Sequence, residues 1–102
     1  MAEKQKYLKV IDEKANIITD VSDKIWEYAE LSLLEFKSCE LYCKVLKEEG
    51  FEVESPVCGI DTAFKATYGS GKPVIGILAE YDALSGVSLS SIKSMNAASP
   101  SV

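Results

Sequence analysis

The spacing of the apolar residues changes at Gly50, and this change constrains the fold more than any other feature. Before Gly50, apolar residues recur every three or four positions, which is the period of an α-helix. After Gly50 they alternate with polar residues, which is the period of a half-buried strand. The 102 residues are enough for one small domain. We therefore expect an α/β fold in which two N-terminal helices pack on a roughly three-stranded mixed sheet.

The first helix is predicted over residues 3–30, where an apolar stripe follows helical spacing without an intervening proline. The stripe consists of Leu8, Ile11, Ala15, Ile18, Val21, Ile25 and Ala29. It is wider than a strict coiled-coil seam and has little heptad regularity. We expect it to face the core, and a coiled-coil partner surface is the alternative.

The second helix carries start and stop signals. Ser32 and Glu35 have the spacing of a capping box, in which each side chain covers an unsatisfied amide at the start of a helix. The apolar pattern then continues to Glu49. Gly50 can adopt the left-handed conformation that ends many helices. These signals predict a helix that starts after Ser32 and ends at Gly50.

Three strands are predicted after Gly50. Residues 51–54 and 62–68 alternate in polarity, and residues 74–81 (VIGILAEY) form an almost continuous apolar run. Such a run is typical of a strand that is covered on both faces. We place the domain at residues 1–87. Residues 88–102 are rich in serine and have no periodicity, so they are predicted to be an irregular or disordered tail.

Composition excludes several classes of function. The net charge is −5, and all 11 basic residues are lysines. An acidic chain without arginine is a poor partner for nucleic acid, because it repels the phosphate backbone. No apolar run reaches the ~20 residues of a membrane span, and the N-terminus has no secretory signal pattern. We therefore expect a cytoplasmic protein with no membrane contact. Histidine, the commonest general base and metal ligand, does not occur in the sequence.

The three cysteines are predicted to be reduced thiols, because the chain has no secretory signal. Cys39 and Cys43 are four residues apart on the second predicted helix and would share one face. Two interpretations stay open for this pair. It is either a set of small half-buried residues or a two-thiolate metal pair, which would need two further ligands from elsewhere.

Two carboxylates stand at the end of the predicted third strand. Glu80 and Asp82 are two residues apart, so on a strand they would point to the same side. The carboxyl edge of the strands is where open α/β sheets place their active sites. The pair could serve as a general base, as metal ligands or as partners of a ligand, and solvated acids that end a strand are the alternative.

Three stretches of the chain resemble the start of the M20 family of metal-dependent amidohydrolases and peptidases. They are PVIGILAEYDAL (residues 73–84), WEYAELSLLEFKS (residues 26–38) and EEGFEVE (residues 48–54). Within the family the chain is most similar to the aminobenzoyl-glutamate utilization type. The order of helices, strands and turns also matches, so the resemblance covers residues 5–87.

The resemblance implies part of an α/β catalytic domain that carries two divalent metals, zinc or manganese, in full-length relatives. Metal-bound hydroxide there attacks the amide of an N-acyl or N-aroyl amino acid. The acid at the position of Asp82 borders the metal centre and steadies a ligand. Glu80 stands where other branches carry a histidine ligand or an aspartate.

The chain also departs from the family pattern. Members of the family continue with a Gly-His-x-Cys-Gly-His-type segment that supplies metal ligands, and a proline usual after EYDAL is replaced by Ser85. Asp82, Glu80 and the cysteines cannot build two metal sites. We therefore expect a fragment that is inactive alone.

Two alternatives remain open. One is a small α/β binding module without catalysis, which could self-associate through an exposed sheet edge. The other is a fragment that pairs with a separately encoded remainder.

Overall fold

A computed structural model describes residues 2–86 of the chain. It contains two helices, α1 (Glu3–Tyr28) and α2 (Phe36–Glu48), followed by two short strands, β1 (Glu52–Glu54) and β2 (Lys65–Thr67). The strands pair antiparallel, with Val53 opposite Ala66. The fold is therefore α/β, as predicted. Its sheet, however, has two strands within the described residues rather than three.

Helix α1 is twice as long as α2, and this difference decides which part of its apolar stripe is covered. Val21 is buried, and Ile25 and Ala29 are half-buried beside α2. Leu8, Ile11 and Ile18 are exposed. The core-facing prediction is thus confirmed for the C-terminal part of the stripe. It is wrong for the N-terminal part, because no element among residues 2–86 lies over that part.

Helix α2 starts later than the capping-box signature predicted. Residues 31–34 form a turn, in which the Leu34 N–H donates to the Leu31 carbonyl over 2.9 Å. Leu33 has a positive φ of 67°, which is incompatible with an α-helix. Glu35 thus lies at the N-cap, and neither it nor Ser32 makes the predicted capping bond. This start was missed because the turn occupies the residues that would have formed the first helical turn.

The end of α2 and the first strand agree with the prediction. Gly50 has a φ of 96°, and the Phe51 N–H donates to the Leu46 carbonyl over 2.9 Å, which is the pattern of a Schellman motif. The Phe51 ring then packs on Tyr68, with 5.0 Å between the ring centroids. In β1, Val53 is half-buried between exposed neighbours, so the predicted alternation is confirmed.

The predicted third strand is wrong for the described residues. Residues 74–81 form no strand, and the side chains of Val74, Ile75, Ile77 and Leu78 are 82 to 95% exposed. A strand needs a neighbour for its backbone N–H and C=O groups, and no such neighbour lies beside this run among residues 2–86. The apolar composition signalled burial, but the covering elements are absent from this part of the chain.

The serine-rich tail predicted over residues 88–102 lies outside the described residues. Within residues 2–86, neither helix is long and apolar enough to cross a membrane.

Candidate functional site

The two candidate carboxylates lie in a segment that folds back onto the helices. Residues 80–84 (EYDAL), which we call the acidic segment, follow the exposed apolar run. The Ala83 N–H donates to the Glu30 carbonyl over 2.7 Å, which joins the segment to the loop between α1 and α2. The acidic segment is therefore held by a backbone bond as well as by side-chain packing.

Tyr81 is the side chain that anchors this segment. Its ring packs against Tyr42 of α2 and Phe64, at centroid distances of 5.6 and 6.1 Å. Its hydroxyl donates to the Thr62 carbonyl. Burial, followed by the neighbouring Cys39 thiol, raises the pKa of the Tyr81 hydroxyl above its ordinary value. Tyr81 therefore stays a neutral donor at neutral pH, and it holds the chain on both sides of its own position.

Glu80 and Asp82 border an open groove of about 670 Å³. Both residues are exposed, whereas Tyr81 between them is half-buried. The walls of the groove are mostly apolar side chains of the two helices, among them Ile18, Val21, Ile25, Trp26 and Val45. The structure thus brings both predicted carboxylates to one groove, although on a loop rather than on a strand.

Glu30 stabilises the loop that supports the acidic segment. Its carboxylate accepts hydrogen bonds from the backbone N–H groups of Lys37 (2.9 Å) and Ser38 (2.7 Å), in the first turn of α2. Partial burial raises the pKa of Glu30, but these two hydrogen bonds outweigh it and lower the pKa overall. Glu30 therefore has the role that the sequence pattern assigned to Ser32: it satisfies unpaired amides at the helix start.

Beneath the acidic segment lies a small polar cluster. Glu35 and Thr62 are buried, and the Thr62 hydroxyl donates to Glu35 Oε1 over 3.4 Å. The Ser38 hydroxyl is also buried, and it has no hydrogen-bond partner among residues 2–86. The Thr62 backbone carbonyl receives the Tyr81 hydroxyl, so the cluster and the acidic segment are connected.

The cysteine pair lies on α2, next to a second and smaller cavity. The Cys39 and Cys43 sulfur atoms are 4.0 Å apart. The Ser55 hydroxyl lies 3.7 Å from the Cys39 sulfur and donates to the Ala63 carbonyl. Cys39 is buried, Cys43 is half-buried, and Cys58 is exposed. Burial raises the pKa of the Cys43 thiol, and the adjacent Cys39 adds to this effect.

The groove and the cavity both lack a preformed metal centre. Among residues 2–86, no three His, Cys, Asp or Glu side chains lie together in an arrangement that could hold a metal ion. Glu80 and Asp82 border the groove without a third such ligand beside them. The described residues therefore do not fit a complete metal centre.

Comparison with known proteins identifies a relative of this chain. The chain is 47% identical over 70 residues, or 69% of its length, to the B-type subunit of p-aminobenzoyl-glutamate hydrolase from Escherichia coli (strain K12). The match lies in the N-terminal part of that protein. The chain is a homologue of this hydrolase. No model of a protein family matches the chain, and no solved structure matches it.

The relation to the hydrolase supports the resemblance to the aminobenzoyl-glutamate type. The matched stretch is 15% of the length of that relative, so the chain corresponds to a small part of the E. coli protein.

Sequence reasoning missed two residues of the site, Tyr81 and Glu30. Alternation along residues 80–82 could have pointed to Tyr81, since an aromatic ring between two acids must face away from them. Glu30 had no local signal, because its hydrogen-bond partners are seven and eight residues away.

Proposed function

We propose that this chain corresponds to the N-terminal part of an M20-type metal-dependent amidohydrolase, which hydrolyses the amide bond of N-acyl or N-aroyl amino acids such as aminobenzoyl-glutamate. Asp82 would be the active-site residue of this part, and Glu80 a second, less central one. The observation that carries the proposal is the 47% identity to the E. coli p-aminobenzoyl-glutamate hydrolase. We also propose that the chain is cytoplasmic.

The geometry of the acidic segment supports a positioning role for this part of the chain. Tyr81 and the Ala83 N–H tie the segment to α2, to Thr62 and to Glu30, while Asp82 stays exposed at the groove. A carboxylate on a segment held from both sides can steady a ligand, because its position does not have to be fixed again when the ligand binds. The exposure of Asp82 leaves it free to meet groups from the rest of a catalytic domain.

The metal ions of the proposed enzyme would be zinc or manganese, two per active site. The described residues do not form that centre, since no suitable group of three ligands occurs among residues 2–86. We therefore infer that the isolated chain does not hydrolyse amides and that the ligands come from the remaining part of the enzyme. Hydrolysis of p-aminobenzoyl-glutamate by the purified 102-residue chain would overturn this inference.

A chimera tests the proposal directly. Residues 2–86 replace the homologous N-terminal residues of the E. coli hydrolase, and release of p-aminobenzoate is measured. The chimera is expected to be active. Asp82→Asn should lower its activity by about 10- to 100-fold, the usual cost of losing a group that orients a metal ligand, and Glu80→Gln should have a smaller effect.

The matched control is Asp23→Asn, because Asp23 is an exposed aspartate on α1 that does not border the groove. It should leave the activity of the chimera unchanged. Equal activity of the Asp82→Asn and Asp23→Asn chimeras would remove Asp82 from the active site. An inactive chimera with a folded N-terminal part would count against the assignment to this enzyme class. The same residues, co-expressed as a separate chain with the remainder, test whether the two parts assemble.

A second candidate function, a binding module without catalysis, is favoured by the exposed apolar run. Ile77 and Leu78 are 91 and 95% exposed, although such side chains are ordinarily buried. This hypothesis predicts cooperative thermal unfolding and a defined dimer or complex, which light scattering after gel filtration would reveal. A monomer without cooperative unfolding would contradict it.

A further inference from the structure

The spacing of Cys39 and Cys43 distinguishes between the reactions that two neighbouring thiols can undergo. Residues four apart on a helix have Cβ atoms roughly 5–6 Å apart, whereas a disulfide needs a Cβ separation of about 3.8 Å. Closing a disulfide here would therefore distort α2. By contrast, two metal–thiolate bonds of about 2.3 Å can span sulfurs up to ~4.6 Å apart. The observed 4.0 Å separation lies within this reach without movement of the helix.

The surroundings determine which kind of ion the pair would accept. A cavity of about 310 Å³ opens beside both cysteines, so an ion can reach the sulfurs although Cys39 itself is buried. No third Cys, Asp or Glu joins the two thiols to form a ligand cluster among residues 2–86. Ions that require four or six ligands are therefore poorly served. Thiolate ligands select soft ions, and Cu(I) is a soft ion that two thiolates can satisfy.

We propose that Cys39 and Cys43 form a two-thiolate chelating site for a soft monovalent metal ion of the Cu(I) class. Binding replaces two S–H bonds with two metal–sulfur bonds and releases two protons to solvent, with no change in oxidation state. Lys47 lies one turn from Cys43 and lines the same cavity, where its positive charge favours the anionic complex. The Ser55 hydroxyl, 3.7 Å from the Cys39 sulfur, orients that thiol.

Anaerobic competition with bathocuproine disulfonate tests the site, with Cu(I) as the probe and the full 102-residue chain as the protein. The wild-type chain is expected to take up one Cu(I) per molecule. Cys43→Ser and Cys39→Ser should each weaken binding by about 10²–10⁴-fold, the gain that two linked ligands have over one. Cys58→Ser is the matched control, because Cys58 is an exposed thiol away from the pair, and it should bind like the wild type.

Three outcomes would overturn the proposal. The first is a wild-type chain that binds Cu(I) no more tightly than Cys43→Ser. The second is a loss of binding in Cys58→Ser. The third is one ion shared between two chains, detected by native mass spectrometry, which would mean an intermolecular bridge instead of a chelate. Circular dichroism of each variant checks that α2 is retained, and Cys43→Ala provides a second variant at the half-buried position.

Discussion

The two halves of the predicted third strand have opposite fates in the structure. Residues 74–78 are apolar and exposed, whereas residues 80–84, which include two acids, fold back onto the helices. Hydrophobicity alone would have predicted the reverse. The difference arises from partners: Tyr81 and the Ala83 N–H find an aromatic cluster and a carbonyl nearby, and Ile77 and Leu78 find no covering surface among residues 2–86.

This contrast teaches that burial requires a surface to bury against. An apolar side chain gains free energy only when it leaves water, at roughly 25 cal/mol per Å² of apolar surface. Residues 74–78 carry apolar area that is not removed from water in the described structure, so they add little to its stability. The acidic segment gains stability from a few directional contacts. Substitutions in each half can therefore test the comparison.

The largest expected effect is that of Tyr81→Ala. It removes the ring that packs on Tyr42 and Phe64, and we expect a loss of about 2–3 kcal/mol, below the ~3–5 kcal/mol of a fully buried aromatic residue. Urea unfolding measures the loss, and Trp26 fluorescence reports on the groove that the segment borders. Tyr81→Phe keeps the packing and should lose only ~1 kcal/mol with its hydrogen bond. Wild-type stability in Tyr81→Ala would mean that the segment is not docked in solution.

Next in size is Glu30→Gln, which removes the charge that accepts two backbone N–H groups of α2. We expect a loss of about 0.5–1 kcal/mol at neutral pH, as for a weakened helix cap. Folding lowers the pKa of Glu30, so the folded state binds this proton less tightly than the unfolded state. The stabilisation is therefore complete above the ordinary pKa of 4.5 and is lost as the pH falls through the lowered value.

Unfolding of the wild type and Glu30→Gln across this pH range checks the sign. The difference in free energy should be largest at neutral pH and should close in acid. Glu27→Gln, an exposed neighbour on α1, serves as the control and should show no such gap. A gap that is independent of pH would show that the Glu30 charge does not carry the effect.

A much smaller effect is expected for Ile77→Ser in the exposed half. Because Ile77 is 91% exposed, its replacement should change the free energy of unfolding by less than ~0.5 kcal/mol. The same variant sharpens the binding-module hypothesis, because it should weaken any association through this run. A destabilisation as large as that of Tyr81→Ala would mean that residues 74–78 are covered in solution.

The smallest effect is expected for Lys14→Gln, which breaks the 2.7 Å ion pair between α1 and Glu49. Both partners are accessible to solvent, so the pair is screened by salt. We expect a slight drop in melting temperature at low ionic strength and no difference at high ionic strength. A salt-independent drop would indicate that the pair does more than join two exposed charges.

Much of the fold and part of the site could be predicted from the sequence. The positions of α1 and α2, the stop at Gly50 and the alternation in β1 follow from local periodicity and backbone preference. The start of α2 could not be predicted, because the side chain that satisfies its amides comes from Glu30, beyond the local signature. The role of Tyr81 depends on Tyr42, Phe64 and Thr62, which are distant in sequence.

The sequence by itself determined the helix and strand periods, the absence of histidine, and the placement of Glu80 and Asp82 on either side of an aromatic residue. Only the tertiary structure decided that this segment docks and that residues 74–78 remain exposed. The reason is physical. Backbone preferences act within a few residues, whereas strand pairing and burial depend on whether a partner is present to receive the hydrogen bonds and the apolar surface.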